Sequence, residues 1–255
     1  MRRREKFIIV SVLLSLGLLA TQYVPIDWRY AAIGIFALIS YLMSAWALSD
    51  DLQIYEWLTI LPLPVLYASS VALFYFLLPE VLLSRLAILA VFGVGMYALF
   101  LTANIFSVAK GRTIQLLYAA RAIALFFTMI ISLLLTNTIF SLRLPFYLNA
   151  LLVATSHFML VLMSLWSVQL EPRISKQILN YTLLFVLILV EFTIAFSFLP
   201  MEIWYISLFI MSLVYVGLSL FQDLLQGRLF KNTATEYTLV SIFIILAFMI
   251  VFPGK

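Results

Sequence analysis

The polar and charged positions of this chain fall in short clusters that separate nine long apolar runs. A helix needs about 20 mostly apolar residues to cross the hydrocarbon core of a bilayer. By this criterion the pattern predicts an all-α, polytopic integral membrane protein with about nine transmembrane helices and no soluble domain. The predicted spans cover residues 7–24, 30–48, 57–78, 82–108, 114–139, 145–170, 177–199, 202–224 and 237–253.

Two of these runs have unusual features. The third contains Pro62 and Pro64. Because proline lacks a backbone donor and clashes with the preceding turn, we predict a kinked or partly unwound third helix. The alternative is that both prolines lie in poorly ordered first turns of that helix near the inner surface. The first run follows the basic segment Arg2-Arg3-Arg4, which is also typical of a signal peptide. It lacks a clear small-x-small cleavage site, so we predict a retained helix.

A pair of similar pentapeptides suggests an internal duplication. Leu42-Met43-Ser44-Ala45-Trp46 is repeated as Leu162-Met163-Ser164-Leu165-Trp166, and Gly95 and Gly217 match at nearly the same offset. The alternative is coincidence together with features that are common at helix ends. We predict a 1+4+4 arrangement with two parallel four-helix repeats, because four spans return the chain to the same side of the membrane. The parts are an extra N-terminal helix at 1–28, repeat one at 29–143 and repeat two at 144–255.

Composition supports the membrane assignment and limits the chemistry. The chain is 65% hydrophobic and 10% charged, whereas soluble domains are about a quarter charged. Its basic residues are scattered between apolar runs, so the net charge of +4 does not indicate a nucleic-acid partner. The chain has no cysteine and one histidine, which excludes disulfides, thiolate metal sites and multi-histidine centres. No cofactor or metal is predicted.

The distribution of Lys and Arg predicts the orientation, since cytoplasmic loops retain positive charge. With the N-terminus cytoplasmic, ten basic residues lie inside and four outside, and nine spans put the C-terminus outside, in a plasma or inner membrane. The inside residues are Arg2, Arg3, Arg4, Lys6, Lys110, Arg112, Arg173, Lys176, Arg228 and Lys231; the outside ones are Arg29, Arg85, Arg143 and Lys255.

Ionisable residues within the spans are the first candidates for a site. They cost about 2.5–3.5 kcal/mol each at the centre of a membrane helix. Glu191 and His157 lie in consecutive antiparallel spans at similar depths, so we expect their side chains to meet. Such a pair would bind a cation or carry a proton. The alternative is an interhelical hydrogen bond that only fixes packing.

Two further residues are candidates for a ligand or ion pathway. Arg121 lies about two turns into the fifth predicted span, where Asp223 is a possible partner. Asn149 is polar and intramembrane, although a packing hydrogen bond would also explain it. The tryptophans, including Trp46 and Trp166, fall near predicted interfaces and fit an aromatic belt.

These observations favour a transporter, a permease or a transport-complex subunit for a small solute or lipid, with a cavity between the repeats. One alternative is a non-catalytic scaffold or assembly subunit that contacts a membrane protein partner or another copy of the chain. A second alternative is a lipid-modifying enzyme that uses Asp50, Asp51 or Arg112 in the inner loops. Glu56 is counted with the acids of the same loop.

Overall fold

The computed structural model describes residues 3–50, 52–53, 55–78, 82–109 and 115–251, and all regular structure within them is helical. The α-helices are α1 (Arg3–Thr21), α2 (Arg29–Leu48), α3 (Glu56–Thr59), α4 (Pro62–Tyr75), α5 (Leu82–Val108), α6 (Gln115–Ser141), α7 (Phe146–Gln169), α8 (Lys176–Ser197), α9 (Ile203–Leu225) and α10 (Lys231–Val251). Within the described residues, eight segments are long and apolar enough to cross a membrane. The prediction of a polytopic helical membrane protein is confirmed.

The eight candidate spans comprise α2, α3 with α4, and each helix from α5 to α10. The ninth long helix, α1, begins with a highly charged turn. Its apolar part, Phe7 to Thr21, is about 22 Å long, which is shorter than the hydrocarbon core of about 30 Å. At the other end of the chain, α10 begins at Lys231 rather than at 237, because its polar first residues are also helical.

The third span is interrupted where the prolines predicted a disturbance. Helix α3 ends at Thr59 and α4 begins at Pro62. The N–H groups of Ile60 and Leu61 both donate to the carbonyl oxygen of Glu56, at 2.8 and 3.4 Å. These bonds close the first short helix, and Pro62 starts the second at a position where its missing donor is tolerated.

The chain divides into two compact units, Met1–Phe127 and Thr128–Lys255, so the division falls inside α6. In the first unit α1 packs on α2 and α5, and α2 also packs on α4 and α5. Aromatic rings fill much of its core. The Tyr67 ring stacks on Phe92 at 5.5 Å and meets Phe127 edge-on at 5.1 Å.

In the second unit α7, α8 and α9 pack on one another, and α10 packs mainly on α9. Trp166 of α7 is almost fully buried, with an exposed fraction of 1%. Phe248 of α10 contacts Phe196 and Phe209 at ring-centre distances of 5.2 and 4.5 Å. By contrast, none of the membrane-spanning window of α10 is buried. The last helix, α10, therefore contacts the other helices of this unit along one narrow line only.

Candidate functional site

His157 lies in the middle of α7 and is completely buried. Its Nδ1 is 3.1 Å from the carbonyl oxygen of Val153, and its Nε2 is 2.9 Å from the hydroxyl oxygen of Ser132 on α6. Because a carbonyl oxygen only accepts, Nδ1 carries a proton. Complete burial without an acidic side chain among these contacts favours the uncharged ring, in which Nε2 accepts from the Ser132 hydroxyl. This assignment makes His157 a neutral imidazole with both nitrogens hydrogen-bonded.

Glu191 is exposed on α8 and has no hydrogen bond or ion pair with another described residue. The expected contact with His157 is not formed, since Ser132 and Val153 occupy the imidazole nitrogens. Both residues lie within membrane-spanning helices, as predicted. Depth along two neighbouring helices does not determine which face each side chain occupies, and here Glu191 points away from the packed side of its helix.

Asn149 is buried near the start of α7, where it links two helices. Its Nδ2 donates to the carbonyl oxygen of Leu144 at 3.3 Å and to the hydroxyl of Ser197 on α8 at 3.2 Å. Its Oδ1 is buried and has no hydrogen-bond partner among the described residues. Asn149 therefore serves packing through its amino group and keeps a free acceptor in the interior.

The second half of α6, which precedes the turn into α7, also carries buried polar residues. Ser132 and Thr136 are fully buried, and Asn137 has an exposed fraction of 4%. The Thr136 hydroxyl and the Asn137 Nδ2 have no hydrogen-bond partner in the described part of the chain. Buried polar groups in proteins are almost always hydrogen-bonded. These two atoms and Asn149 Oδ1 are therefore unusual, and all three lie on the two helices that flank the α6–α7 turn.

We call Asn149, Asn137, Thr136, Ser132 and His157 the polar track. Its residues lie at increasing distance from the α6–α7 turn. At about 1.5 Å per residue, Asn149 and Asn137 are roughly 5 Å from the helix ends, Ser132 roughly 14 Å and His157 roughly 17 Å. The track thus extends over roughly 17 Å of the helices from the turn, about half the thickness of a 30 Å hydrocarbon core, and none of its side chains carries a fixed charge.

Arg121 lies in α6 above the ring of Tyr118, with its guanidinium carbon 6.0 Å from the ring centre. This distance is within the range of a cation–π contact. Asp223 of α9 accepts a 2.6 Å hydrogen bond from the Tyr237 hydroxyl. The pairing of Arg121 with Asp223 stays a prediction.

A charged cluster lies beside the end of α2. The Lys6 ammonium donates to both carboxylate oxygens of Asp50, at 2.8 and 2.9 Å, and lies 5.8 Å from the ring centre of Trp46. The hydrogen bond from Lys6 and then the charges of Lys6 and Arg3 lower the pKa of Asp50 below its ordinary value of 3.8. Of the residues proposed for an enzyme, Asp51 and Arg112 lie outside the described residues.

Glu56 is a buried residue that the sequence interpretation placed wrongly. It begins α3 and is completely buried, so its assignment as a loop acid is wrong. Its Oε2 accepts from the backbone N–H of Gln53 at 2.9 Å and from the Ser107 hydroxyl at 2.8 Å. The bond from Gln53 ties the segment before α3 to the first residue of that helix, whose N-cap residue is Tyr55, and no capping motif in the sequence marks this arrangement.

The two matching pentapeptides end in tryptophans with different environments. Trp46 is 48% exposed, as an interfacial residue should be, whereas Trp166 is buried. The Trp166 indole N–H donates to the carbonyl oxygen of Glu171 at 2.8 Å, and Gln222 of α9 donates to the Ser164 hydroxyl at 2.9 Å. The assignment of Trp166 to an aromatic belt is therefore wrong, because this tryptophan closes the end of α7 from within the bundle.

These helices and their buried polar groups define the class: a multi-pass helical membrane protein. No protein-family model, curated protein or solved structure matches this chain. Among the described residues, no group of three or more His, Cys, Asp or Glu side chains is placed to hold a metal ion. The polar track in the second unit is the candidate site.

Proposed function

We propose that this protein is a permease for a small, uncharged, polar solute, and that the solute moves along the polar track of the second unit. The observation that supports this proposal is a group of three buried polar atoms that have no hydrogen-bond partner among the residues described: Thr136 Oγ1, Asn137 Nδ2 and Asn149 Oδ1. They offer a hydroxyl, a donor and an acceptor. A small solute with its own donors and acceptors would complete their hydrogen bonding.

The side chains that form the polar track favour an uncharged solute. The track contains amides, hydroxyls and a neutral imidazole, with no carboxylate, ammonium or guanidinium group. An ion would lose its hydration without gaining a counter-charge, which is very costly in a medium of low dielectric constant. Neutral hydrogen-bonding molecules lose less when they leave water.

The proposal includes two parallel repeats and a cytoplasmic N-terminus. The latter requires α1 to cross the membrane as well, with its charged first turn at the surface, and the whole helix of 19 residues is about 28 Å long. Similar packing in the two units supports the repeats, since α2, α4 and α5 contact one another as α7, α8 and α9 do. A Cβ added at Gly95 would overlap Tyr67 of the preceding helix, and a Cβ added at Gly217 would overlap Phe185 of the preceding helix.

Orientation is tested by labelling, because the chain has no cysteine. We expect Gln53→Cys and Gln177→Cys to react with a membrane-impermeant maleimide from the cytoplasmic side, and Tyr23→Cys from the opposite side. All three residues are exposed. Labelling of Gln53→Cys and Gln177→Cys from opposite sides would contradict parallel repeats.

Transport is tested by stopped-flow light scattering of proteoliposomes with urea, glycerol and formamide as probes. We expect at least one of them to enter faster than into protein-free vesicles. Because Asn149 and Thr136 line the track, Asn149→Leu and Thr136→Val should each reduce this flux by about an order of magnitude, which corresponds to roughly 1.4 kcal/mol. Thr182→Val is the matched control, since Thr182 is equally buried but donates within its own helix.

Two results would contradict the permease. One is equal flux in vesicles with and without the protein for every probe. The other is an equal loss of flux in Thr136→Val and Thr182→Val, which would indicate a general loss of structure. Glu191→Gln should leave the flux unchanged, because Glu191 lies outside the track.

A non-catalytic membrane scaffold is the second candidate. It is favoured by His157, whose hydrogen bonds to Ser132 and Val153 are all internal and are those a packing residue needs. A protein without flux for any probe, in which Ser132→Ala still lowers thermal stability, would favour this scaffold over the permease.

A further inference from the structure

The outward face of α8 carries a straight line of exposed residues. Asn180, Leu184, Leu187, Glu191 and Ala195 are all exposed, and their spacings are 4, 3, 4 and 4. At about 100° per residue they lie within roughly 80° of arc on the helix surface. We call these five residues the α8 stripe. Similar spacings of three and four produce the contact seam of paired helices.

The α8 stripe contains polar groups that a lipid cannot satisfy. Glu191 lies six residues from the end of α8 at Ser197, or roughly 9 Å inside that end. Neither Glu191 nor Asn180 has a hydrogen bond or ion pair with a described residue. A carboxyl group facing hydrocarbon is among the most costly groups in a membrane, so its exposure on a single chain indicates a covering partner.

We propose that the α8 stripe is the interface of a parallel homodimer, in which Glu191 hydrogen-bonds to the same residue of a second copy. In a two-fold dimer with its axis along the membrane normal, each residue on the axis meets its own copy. The polar groups of such a seam must therefore be donors and acceptors at once. A neutral carboxyl group and a primary amide both meet this condition.

The whole stripe is self-complementary, and this property favours another copy of this chain as the partner. Asn180 would pair with Asn180 and Glu191 with Glu191, about 16 Å apart along the helix. Leu184 and Leu187 would form the apolar contact between them. The small side chain of Ala195 would let the helices approach. A partner helix with a Lys or Arg would satisfy Glu191 but would require an unrelated match for Asn180.

Single-cysteine cross-linking tests the geometry, since the natural chain has no cysteine. Leu184→Cys and Leu187→Cys should form disulfide-linked dimers on copper-phenanthroline oxidation in proteoliposomes at a high lipid-to-protein ratio. Leu151→Cys on α7 and Leu246→Cys on α10 are matched controls, because these leucines are similarly exposed. Equal cross-linking at all four positions would overturn the proposed interface.

The role of Glu191 is tested by energy transfer between donor- and acceptor-labelled copies as the protein is diluted with lipid. Glu191→Leu should weaken dimerisation on the order of tenfold, which is the size expected for one or two membrane hydrogen bonds. Glu191→Gln should weaken it much less, because an amide also donates and accepts. Unchanged dimerisation in Glu191→Leu would overturn the proposal. Neither measurement depends on transport.

Discussion

Gly217 in α9 allows a close contact with α8, and replacing it with alanine tests the packing of the second unit. An added Cβ would overlap Cζ and Cε2 of the Phe185 ring and would lie 3.0 Å from Cδ2. The Phe185 side chain has an exposed fraction of 3% and packs against Phe221 at a ring-centre distance of 5.7 Å. The ring is therefore buried among other side chains, and an added Cβ would force it or its neighbours to shift.

The expected cost combines two effects of opposite sign. Inserting a methyl group into a packed core costs about 1–3 kcal/mol. Replacing glycine by alanine within a helix gains about 0.5–1 kcal/mol. The steric effect is larger because the obstacle is a buried aromatic ring rather than the end of a flexible chain. We expect Gly217→Ala to destabilise the protein by about 1–2 kcal/mol, which lowers the melting temperature by about 2–8 °C.

The measurement is the apparent melting temperature of detergent-solubilised protein, followed by fluorescence-detected size-exclusion chromatography. Gly34→Ala is the control, since nothing lies within 4 Å of its added Cβ, and we expect it to be neutral or slightly stabilising. In Gly217→Ala combined with Phe185→Leu, the loss should be smaller than the sum of the two single losses. Equal melting temperatures for Gly217→Ala and Gly34→Ala would refute the reasoning.

Three further changes test other contacts. Trp166→Phe should cost about 0.5–1.5 kcal/mol through loss of its bond to a carbonyl oxygen, whereas exposed Trp46→Phe should change the melting temperature little. Ser132→Ala should cost about 1–3 kcal/mol by leaving a buried imidazole nitrogen unpaired. Lys6→Gln should raise the pKa of Asp50 towards 3.8, as a carboxyl NMR titration would show. Because the folded-state pKa is depressed, the stabilisation from this ion pair is complete well above pH 3.8 and is lost as the pH falls through the depressed pKa.

The helices could be predicted from the sequence because bilayer thickness fixes the length of an apolar run. The break in the third span was predicted from Pro62 and Pro64 for an equally direct reason, the loss of backbone donors. The end of α3 at Thr59 and the start of α4 at Pro62 agree with that argument. Both features are properties of the backbone, which do not depend on neighbouring helices.

The side of each helix that packs against its neighbours could not be predicted in the same way. A membrane helix is apolar on all sides, so hydrophobic periodicity does not mark the packed face as it does in a soluble helix. Glu191 was expected to face His157 and is exposed, while Glu56 was expected in a loop and is buried. The same difficulty explains Trp166, whose position in the sequence resembles that of Trp46 although its environment differs.

Attachment of α10 along one narrow line has a consequence for how the chain tolerates change. Since no part of its membrane-spanning window is buried, most of its side chains need only be apolar, and their shape matters little. Exchanges among Leu, Ile and Phe should be accepted at its outward positions, but not at Phe248 or Tyr237, which make its specific contacts. The last helix is thus the natural place to add a fluorescent or affinity domain, or to exchange one span for another, without disturbing the buried tryptophan, histidine or asparagine.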